Sequence, residues 1–250
     1  MKRIPLFAAV TAFVCLALAM PVVPGASVLT AAHAQNLDYN GSLGNLYQNL
    51  YLSTHLGMGS ARSGRSSRRR RTPRVSAPAK WTLNPKRAAI LRRVVAAVPA
   101  PDRVKTRAVL EKTLATYPAI ARAASQGYGV PLRADDPRDA AALAGTLSFE
   151  ELSGKDLTNA QFAANRALSR RLFASEYIDA ANMQDSGETY ALAIGLMALL
   201  KAYSLDPKNP DPDLTRRQLR GLAQDTFRVA YRNPDYTKFA PTSKGLVKVR

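Results

Sequence analysis

The chain has 250 residues, of which 36 are Lys or Arg and 18 are Asp or Glu, so its formal net charge is +18. Residues 1–34 have the parts of a secretory signal: a basic start, an apolar run and the site Ala32-His33-Ala34. We expect cleavage after Ala34, with a retained membrane anchor as the alternative. Cleavage would remove Cys15, the only cysteine, which excludes disulfides, thiolate nucleophiles and Cys-based zinc sites from the mature chain.

The positive charge of the mature chain is unevenly distributed. Residues 39–101 contain 12 Lys or Arg and no acid, whereas residues 102–250 contain 22 Lys or Arg and 17 acids. The basic character therefore belongs mainly to one N-terminal segment. The signal, which is of the Sec type, predicts that the protein is exported and is periplasmic or secreted.

Residues 35–80 are expected to form an N-terminal segment and a linker. The stripe of Leu and Tyr in residues 43–56 indicates either a docking helix or a partly ordered tail. Residues 57–80 are dominated by Gly, Ser, Pro and Arg and have almost no large apolar groups, which predicts a disordered Arg-rich arm. The one remaining histidine, His55, lies beside this arm and is expected to be a solvated side chain, so histidine-based hydrolysis is excluded.

Signals for helix starts recur in residues 81–232, where an Asn, Asp or Thr is followed by Pro or by a capping Gln. They stand at Asn84-Pro85, Asp136-Pro137, Thr158 with Gln161, and Asp211-Pro212, and the second helix, after the one that follows Asn84-Pro85, is expected from about Asp102. Pro118 lies inside the second of these helices and predicts either a kink or a new helix start. No stretch alternates apolar and polar residues long enough to predict a strand, and residues 233–250 are expected to form an irregular basic tail.

Residues 185–203 predict the central helix of this domain. Asp185 and Glu188 have the spacing of a capping box, and residues 190–200 are apolar on every side and carry no charge. Eleven residues are too few to span a bilayer, which needs about 20, so no transmembrane span is expected after signal cleavage. The predicted fold is all-α: a single orthogonal bundle of about six helices around this buried helix, preceded by the disordered arm.

Acidic residues are the remaining candidates for catalysis. Asp135, Asp136 and Asp139, or Glu150 and Glu151, could act as acid and base, but their sequence context is that of helix caps and first turns. No phosphate-binding loop, dinucleotide fingerprint or complete calcium loop occurs, so neither a cofactor nor a metal is predicted.

The Arg tract is the strongest functional signal, because clustered guanidinium groups favour anionic polymers or acidic protein surfaces. The alternative is a solvated linker. Lys86 and Arg87 are predicted to add to it, because they follow the Asn84 cap in a first helical turn with free N–H groups. Sequence-specific nucleic-acid binding is not predicted, since no aromatic residue lies between Tyr51 and Trp81 to stack on bases. The candidate anion-binding residues are Arg68, Arg69, Arg70, Arg71, Arg74, Lys86 and Arg87.

Two resemblances bear on function. The start of the helical segment, residues 81–87 with Asn84-Pro85 inside, resembles secreted bacterial helical domains of unassigned function; the likeness covers residues 81–231 and implies no catalytic residue. Gly195-Leu196-Met197 resembles the start of the GLMQ motif of lytic transglycosylases, a family in which a catalytic Glu followed by Ser precedes the motif. Here the candidates for that Glu are Glu176, followed by Tyr177, and Glu188, followed by Thr189, and Ala198 stands where the family has Gln. We therefore expect an exported, non-enzymatic helical protein, with a carboxylate-dependent enzyme that cleaves cell-wall glycan as the alternative.

Overall fold

The computed structural model describes residues 80–175 and 180–249. This part of the chain is mostly helical, which confirms the predicted all-α character. The predicted signal and the arginines of the arm lie outside the described residues. The helices are α1 (Ala89–Ala96), α2 (Arg103–Tyr128), α3 (Pro137–Ser153), α4 (Asn159–Ser175), α5 (Ala180–Ser204) and α6 (Pro212–Tyr231). Short 3-10 turns occur at Pro85–Arg87, Ala100–Asp102 and Tyr236–Lys238, and two strands follow, β1 (Phe239–Thr242) and β2 (Gly245–Lys248).

Helix α5 packs against α1, α2, α3 and α6. Its uncharged stretch, residues 190–200, is buried except for the half-buried residue 199, as the absence of a polar face predicts. Gly195 lets α2 approach closely, because a Cβ there would lie 2.8 Å from the carbonyl oxygen of Thr113. The Gly-Leu-Met sequence is therefore used for helix packing.

Helix α3 is the second buried helix, and every residue from 139 to 150 is buried. Small side chains make this possible. Tyr231 of α6 lies over Gly145, where a Cβ would come within 2.8 Å of the tyrosine ring. The first turn of α3 is capped by Asp136, whose side chain accepts a hydrogen bond from the N–H of Arg138 at 3.0 Å, as predicted.

Two other predicted helix starts are also confirmed. Thr158 and Gln161 form a reciprocal capping box at the start of α4, with N–H to oxygen distances of 2.9 and 3.2 Å. Asp211 accepts from the N–H of Leu214 at 2.8 Å at the start of α6. No new helix starts at Pro118, because α2 continues through it to Tyr128. The helix ends at Gly129, which has φ 63°.

The predicted start of the central helix was wrong. Helix α5 begins at Ala180, so Asp185 and Glu188 lie inside it rather than at its cap. The two side chains bind α1 instead: Asp185 pairs with Arg93, and Glu188 accepts from the N–H of Ile90 at 3.1 Å. The spacing of a capping motif shows only that a local hydrogen bond is possible. Here, contacts with α1, more than 90 residues away along the chain, take its place.

The expectation of an irregular tail for residues 233–250 was also wrong. Strands β1 and β2 form an antiparallel hairpin in which Phe239 pairs with Lys248 and Thr242 with Gly245. The hairpin packs on α4 through Leu246, which is buried. Four-residue strands are too short to give a recognisable alternation of apolar and polar residues.

Candidate anion-binding surface

The described part of the chain begins with a strongly basic segment. Residues 80–107 contain eight Lys or Arg and one acid, Asp102. Seven of the eight basic side chains are exposed, and the eighth, Arg93, is half-buried in its ion pair with Asp185. This segment directly follows the arginines of residues 62–74 in the chain.

Two arginines of α2 bring part of this segment together. The Nη2 of Arg107 donates to the carbonyl of Lys86 at 3.0 Å, and the Nε of Arg103 donates to the carbonyl of Val98 at 2.8 Å. Carbonyl groups are neutral and do not cancel the positive charge. We call Lys86, Arg87, Arg103 and Arg107 the basic face. The ion pair of Arg107 with Glu111, at 2.7 Å, offsets one of the four charges of this face.

The helix terminus predicted at Lys86 and Arg87 is not formed. Residues Pro85–Arg87 make a single 3-10 turn, Asn84 provides no side-chain cap, and the N–H of Arg87 donates to the carbonyl of Asn84 at 3.0 Å. Helix α1 begins two residues later, where Glu188 already occupies the N–H of Ile90. The predicted anion site therefore lacks a first helical turn with free N–H groups. What Lys86 and Arg87 offer to an anion is the charge of their side chains. Arg68, Arg69, Arg70, Arg71 and Arg74 lie outside the described residues.

Trp81 fixes the point at which the arm joins the helices. Its side chain is 3 % exposed and lies against Tyr117, and the backbone N–H of Trp81 donates to the carbonyl of Asp135 at 3.0 Å. The next residue, Thr82, is bound through both its N–H and its carbonyl by the side-chain amide of Gln184, at 2.9 and 2.8 Å. The arm is therefore joined to the helical domain through Trp81 and Thr82, two residues that hydrogen bonds hold in place.

Asp136 and Asp139 form a buried acidic pair, each 1 % exposed, at the start of α3. Arg166 binds both oxygens of Asp139 at 2.7 and 2.8 Å, Arg138 binds both oxygens of Asp136 at 2.8 Å, and Arg170 contacts both carboxylates. Burial opposes the charge on Asp139, but hydrogen bonds from Arg166, the N–H of Arg133 and Arg170 outweigh it and hold the pKa of this carboxyl below its usual value.

Glu150 is a buried carboxyl of a different kind. It is 5 % exposed and accepts hydrogen bonds from the hydroxyl of Tyr128 at 2.9 and 3.0 Å and from the N–H of Leu157 at 2.8 Å. Burial raises the pKa of Glu150 to about 7. Burial also raises the pKa of Tyr128, whose ring stacks on Phe162 at 3.9 Å. The hydrogen bonds among Tyr128, Glu150 and Leu157 connect α2, α3 and the loop before α4.

The other carboxylates proposed for catalysis also bind neighbouring groups. Glu151 pairs with Lys201 of α5 at 2.8 Å, and Asp135 pairs with Arg133 at 3.0 Å. Glu188, 4 % exposed, binds α1 and accepts from the amide of Gln184 at 2.8 Å. Within residues 80–175 and 180–249, no group of three or more His, Cys, Asp or Glu is placed to hold a metal.

Sequence reasoning missed Arg138, Arg166 and Arg170. The signal that could have found them is the matched spacing of Asp136 and Asp139, three apart, with two arginines four apart on the following helix, since such pairs lie on one helical face.

No helix of the described ranges combines the length and apolar character needed to cross a membrane.

No family model, curated protein or solved structure matches the chain. The resemblance of residues 81–231 to secreted bacterial helical domains therefore stays a prediction.

Proposed function

We propose that this chain is an exported, non-enzymatic helical protein that contacts an anionic envelope polymer through its Arg-rich arm and the adjoining basic face. An acidic protein surface is the alternative partner. The finer arrangement that goes with this proposal is a single orthogonal bundle of about six helices around α5.

The observation that carries the proposal is the charge of residues 80–107. Eight basic residues and one acid stand in 28 positions, and Lys86, Arg87 and Arg103 are exposed with no carboxylate on their side chains among the described residues. With the seven arginines of residues 62–74, this gives a continuous stretch of positive charge, which attracts a polyanion and releases its counterions.

The carboxylates support a non-enzymatic role because each catalytic candidate among the described residues has a structural partner, while Glu176 lies outside them. Asp136 and Asp139 bind arginines, Glu150 binds Tyr128, and Glu188 binds the start of α1. A catalytic acid must reach its substrate within hydrogen-bond distance. The most strongly perturbed of these carboxyls, Glu150, is buried between helices.

The salt dependence of binding tests the proposal. Full-length protein would be titrated with a fluorescently labelled anionic polysaccharide at several salt concentrations. Six engaged charges would give a slope of log K against log salt of about −4 to −5, taking the coefficients measured for nucleic acids as a guide. Replacing the arginines of residues 62–74 by Gln should remove most of the slope.

Lys86→Ala combined with Arg87→Ala should weaken binding further. The matched control is Lys208→Ala with Arg217→Ala, which removes one exposed Lys and one exposed Arg from another part of the surface and should leave the slope of the parent protein unchanged. Binding that ignores salt, or that responds equally to both double variants, would contradict the proposal. An acidic protein recovered in place of a polymer would identify the alternative partner.

The enzymatic alternative is tested with purified peptidoglycan. We expect no loss of turbidity on addition of the protein. Clearing that disappears in Glu176→Gln or in Glu188→Gln, in a variant that still unfolds cooperatively, would establish the glycan-cleaving activity instead.

A further inference from the structure

The three arginines on the buried acidic pair, Arg138, Arg166 and Arg170, form what we call the arginine platform. All three bind Asp136 or Asp139, so their guanidinium groups lie side by side where the start of α3 meets α4. Their side chains are 23, 18 and 35 % exposed, whereas both carboxylates are 1 % exposed. Solvent therefore reaches the arginines and not the acids beneath them.

Each arginine uses the same edge of its guanidinium group for this contact. Arg138, Arg166 and Arg170 all donate through Nε and Nη2. Within the described ranges, no hydrogen bond to protein engages the third nitrogen, Nη1, of any of them. Each group thus keeps N–H donors that can bind a second anion.

The platform carries an excess of positive charge. Three guanidinium groups stand against two carboxylates, and the adjacent Arg171 is exposed. The nearby pair of Arg133 and Asp135 is neutral as a unit. Because the ion pairs already fix the arginine side chains, binding an anion there costs less conformational entropy than binding at mobile surface lysines.

The platform also lies close to the root of the arm. The backbone N–H of Trp81 donates to the carbonyl of Asp135, the residue before Asp136. The hydrogen bond from Arg133 lowers the pKa of the Asp135 carboxyl, and the positive charge of Lys80 adds to the effect, so Lys80 lies beside this loop. Only five residues separate Arg74 from Lys80, a span of at most about 22 Å.

We infer that the arginine platform is a fixed binding site for a phosphate group of the polymer that the arm contacts. Phosphate oxygens match the planar N–H groups of guanidinium, which bind them by charge-assisted hydrogen bonds. This inference rests on the proposed function for the identity of the polymer, whereas phosphate binding by the platform itself does not depend on the arm.

Nitrogen-15 NMR of the arginine side chains tests the site without a substitution. Full-length protein labelled in Arg would be titrated with inorganic phosphate, with chloride at equal ionic strength as the reference. The Nη–H signals of the platform, assigned from single Arg→Lys variants, should shift and saturate, because the Nη1 donors are the ones that the carboxylates leave free. The signal of Arg216, an exposed arginine paired with Asp213, should follow the chloride reference. Platform signals that do not move, or that move in parallel with Arg216, would overturn the inference.

Arg170→Lys gives the second measurement, because it keeps the charge over the buried acids and loses the fork of N–H donors. Affinity for inorganic phosphate and for polyphosphate should fall roughly tenfold, against less than about twofold for the matched control Arg216→Lys. Equal affinity in both variants would mean that the platform is only structural. If Arg170→Lys does not fold, the titration of the unsubstituted protein decides.

The arm is tested separately. Replacing the arginines of residues 62–74 by Gln should weaken polyphosphate binding and leave the response of the platform to inorganic phosphate intact. An unchanged polyphosphate affinity would contradict the proposed function of the arm, whereas the platform signals decide the inference in either case.

Discussion

The ring of Trp81 lies directly against the backbone of Gly187 in α5. A Cβ at position 187 would come within 2.4 Å of the Cδ2 atom of the indole, a distance that neighbouring atoms cannot accept without moving. Glycine at this position therefore lets the segment before α1 pack on the central helix.

Gly187→Ala should destabilise the protein by roughly 1–3 kcal/mol, because the indole is buried and has no room to withdraw. Urea unfolding measures this as a lower midpoint with an unchanged slope. The control is Gly221→Ala in α6, where a Cβ meets nothing within 4 Å. That change should stabilise by about 0.5–1 kcal/mol, since alanine favours the helix. Equal effects at the two positions would show that Trp81 does not pack as described.

The raised pKa of Glu150 predicts a specific pH dependence of stability. The carboxyl has a pKa of about 7 in the folded protein against an ordinary value of 4.5, so the folded state holds the proton more tightly. The contribution to stability is present in full below pH 4.5 and is lost as the pH rises through 7.

Glu150→Gln should remove this loss and be the more stable protein at pH 8, by up to about 3 kcal/mol. Chemical unfolding at intervals from pH 4.5 to 8 measures the difference. Glu151→Gln changes the neighbouring carboxylate, which pairs with Lys201, and should keep the slope of the parent protein. A parent protein whose stability does not fall over this range would refute the prediction.

Asn165 should control the attachment of the C-terminal hairpin. It is fully buried, donates to the hydroxyl of Thr146 at 2.9 Å, and accepts from the hydroxyl of Tyr231 at 2.9 Å and from the N–H of Leu246 at 3.4 Å. Asn165→Ala leaves these partners without bonds and should cost roughly 2–4 kcal/mol.

Hydrogen exchange of the Leu246 amide would accelerate more than that of α5 if the hairpin opens on its own. Tyr231→Phe, which removes one of the three bonds, is the milder comparison. Unchanged exchange at Leu246 in the Asn165 variant would contradict this assignment.

Arg166→Ala should be strongly destabilising, because it removes a two-point contact from a carboxylate that is 1 % exposed. The expected loss is about 3–5 kcal/mol at pH 7. Since the pKa of Asp139 is lowered in the folded protein, the contribution of this ion pair is present above the ordinary pKa and is lost as the pH falls below it. Arg216→Ala at the exposed pair with Asp213 should change stability by less than about 1 kcal/mol in thermal unfolding. Similar losses in both variants would argue against a buried ion pair.

The helix starts that could be predicted from sequence depend on contacts within a few residues. Thr158 with Gln161 and Asp211 with Leu214 form their hydrogen bonds inside one turn, so the local pattern contains all the required groups. The buried character of α3 and α5 likewise follows from their uncharged, apolar composition.

The features that sequence reasoning missed depend on distant partners. Asp185 and Glu188 have the spacing of a cap but bind α1, and the hairpin is held by Asn165, 81 residues before Leu246. For the site, the exposure of Lys86 and Arg87 could be predicted from their charge. For the arginine platform, the matched spacing of its acids and arginines is a signal but is not sufficient, because it does not show that α4 lies across the start of α3.

The double hydrogen bond between Thr82 and the amide of Gln184 sets the path of mechanical load through the protein. If the arm holds a polymer fixed to the envelope, tension enters at Lys80 and meets Trp81 and Thr82 before it reaches α1. These two residues are bound to Asp135 and to α5, so the force passes directly into the central helix and the loop before α3. Short helix α1 is thereby shielded from being pulled off the domain.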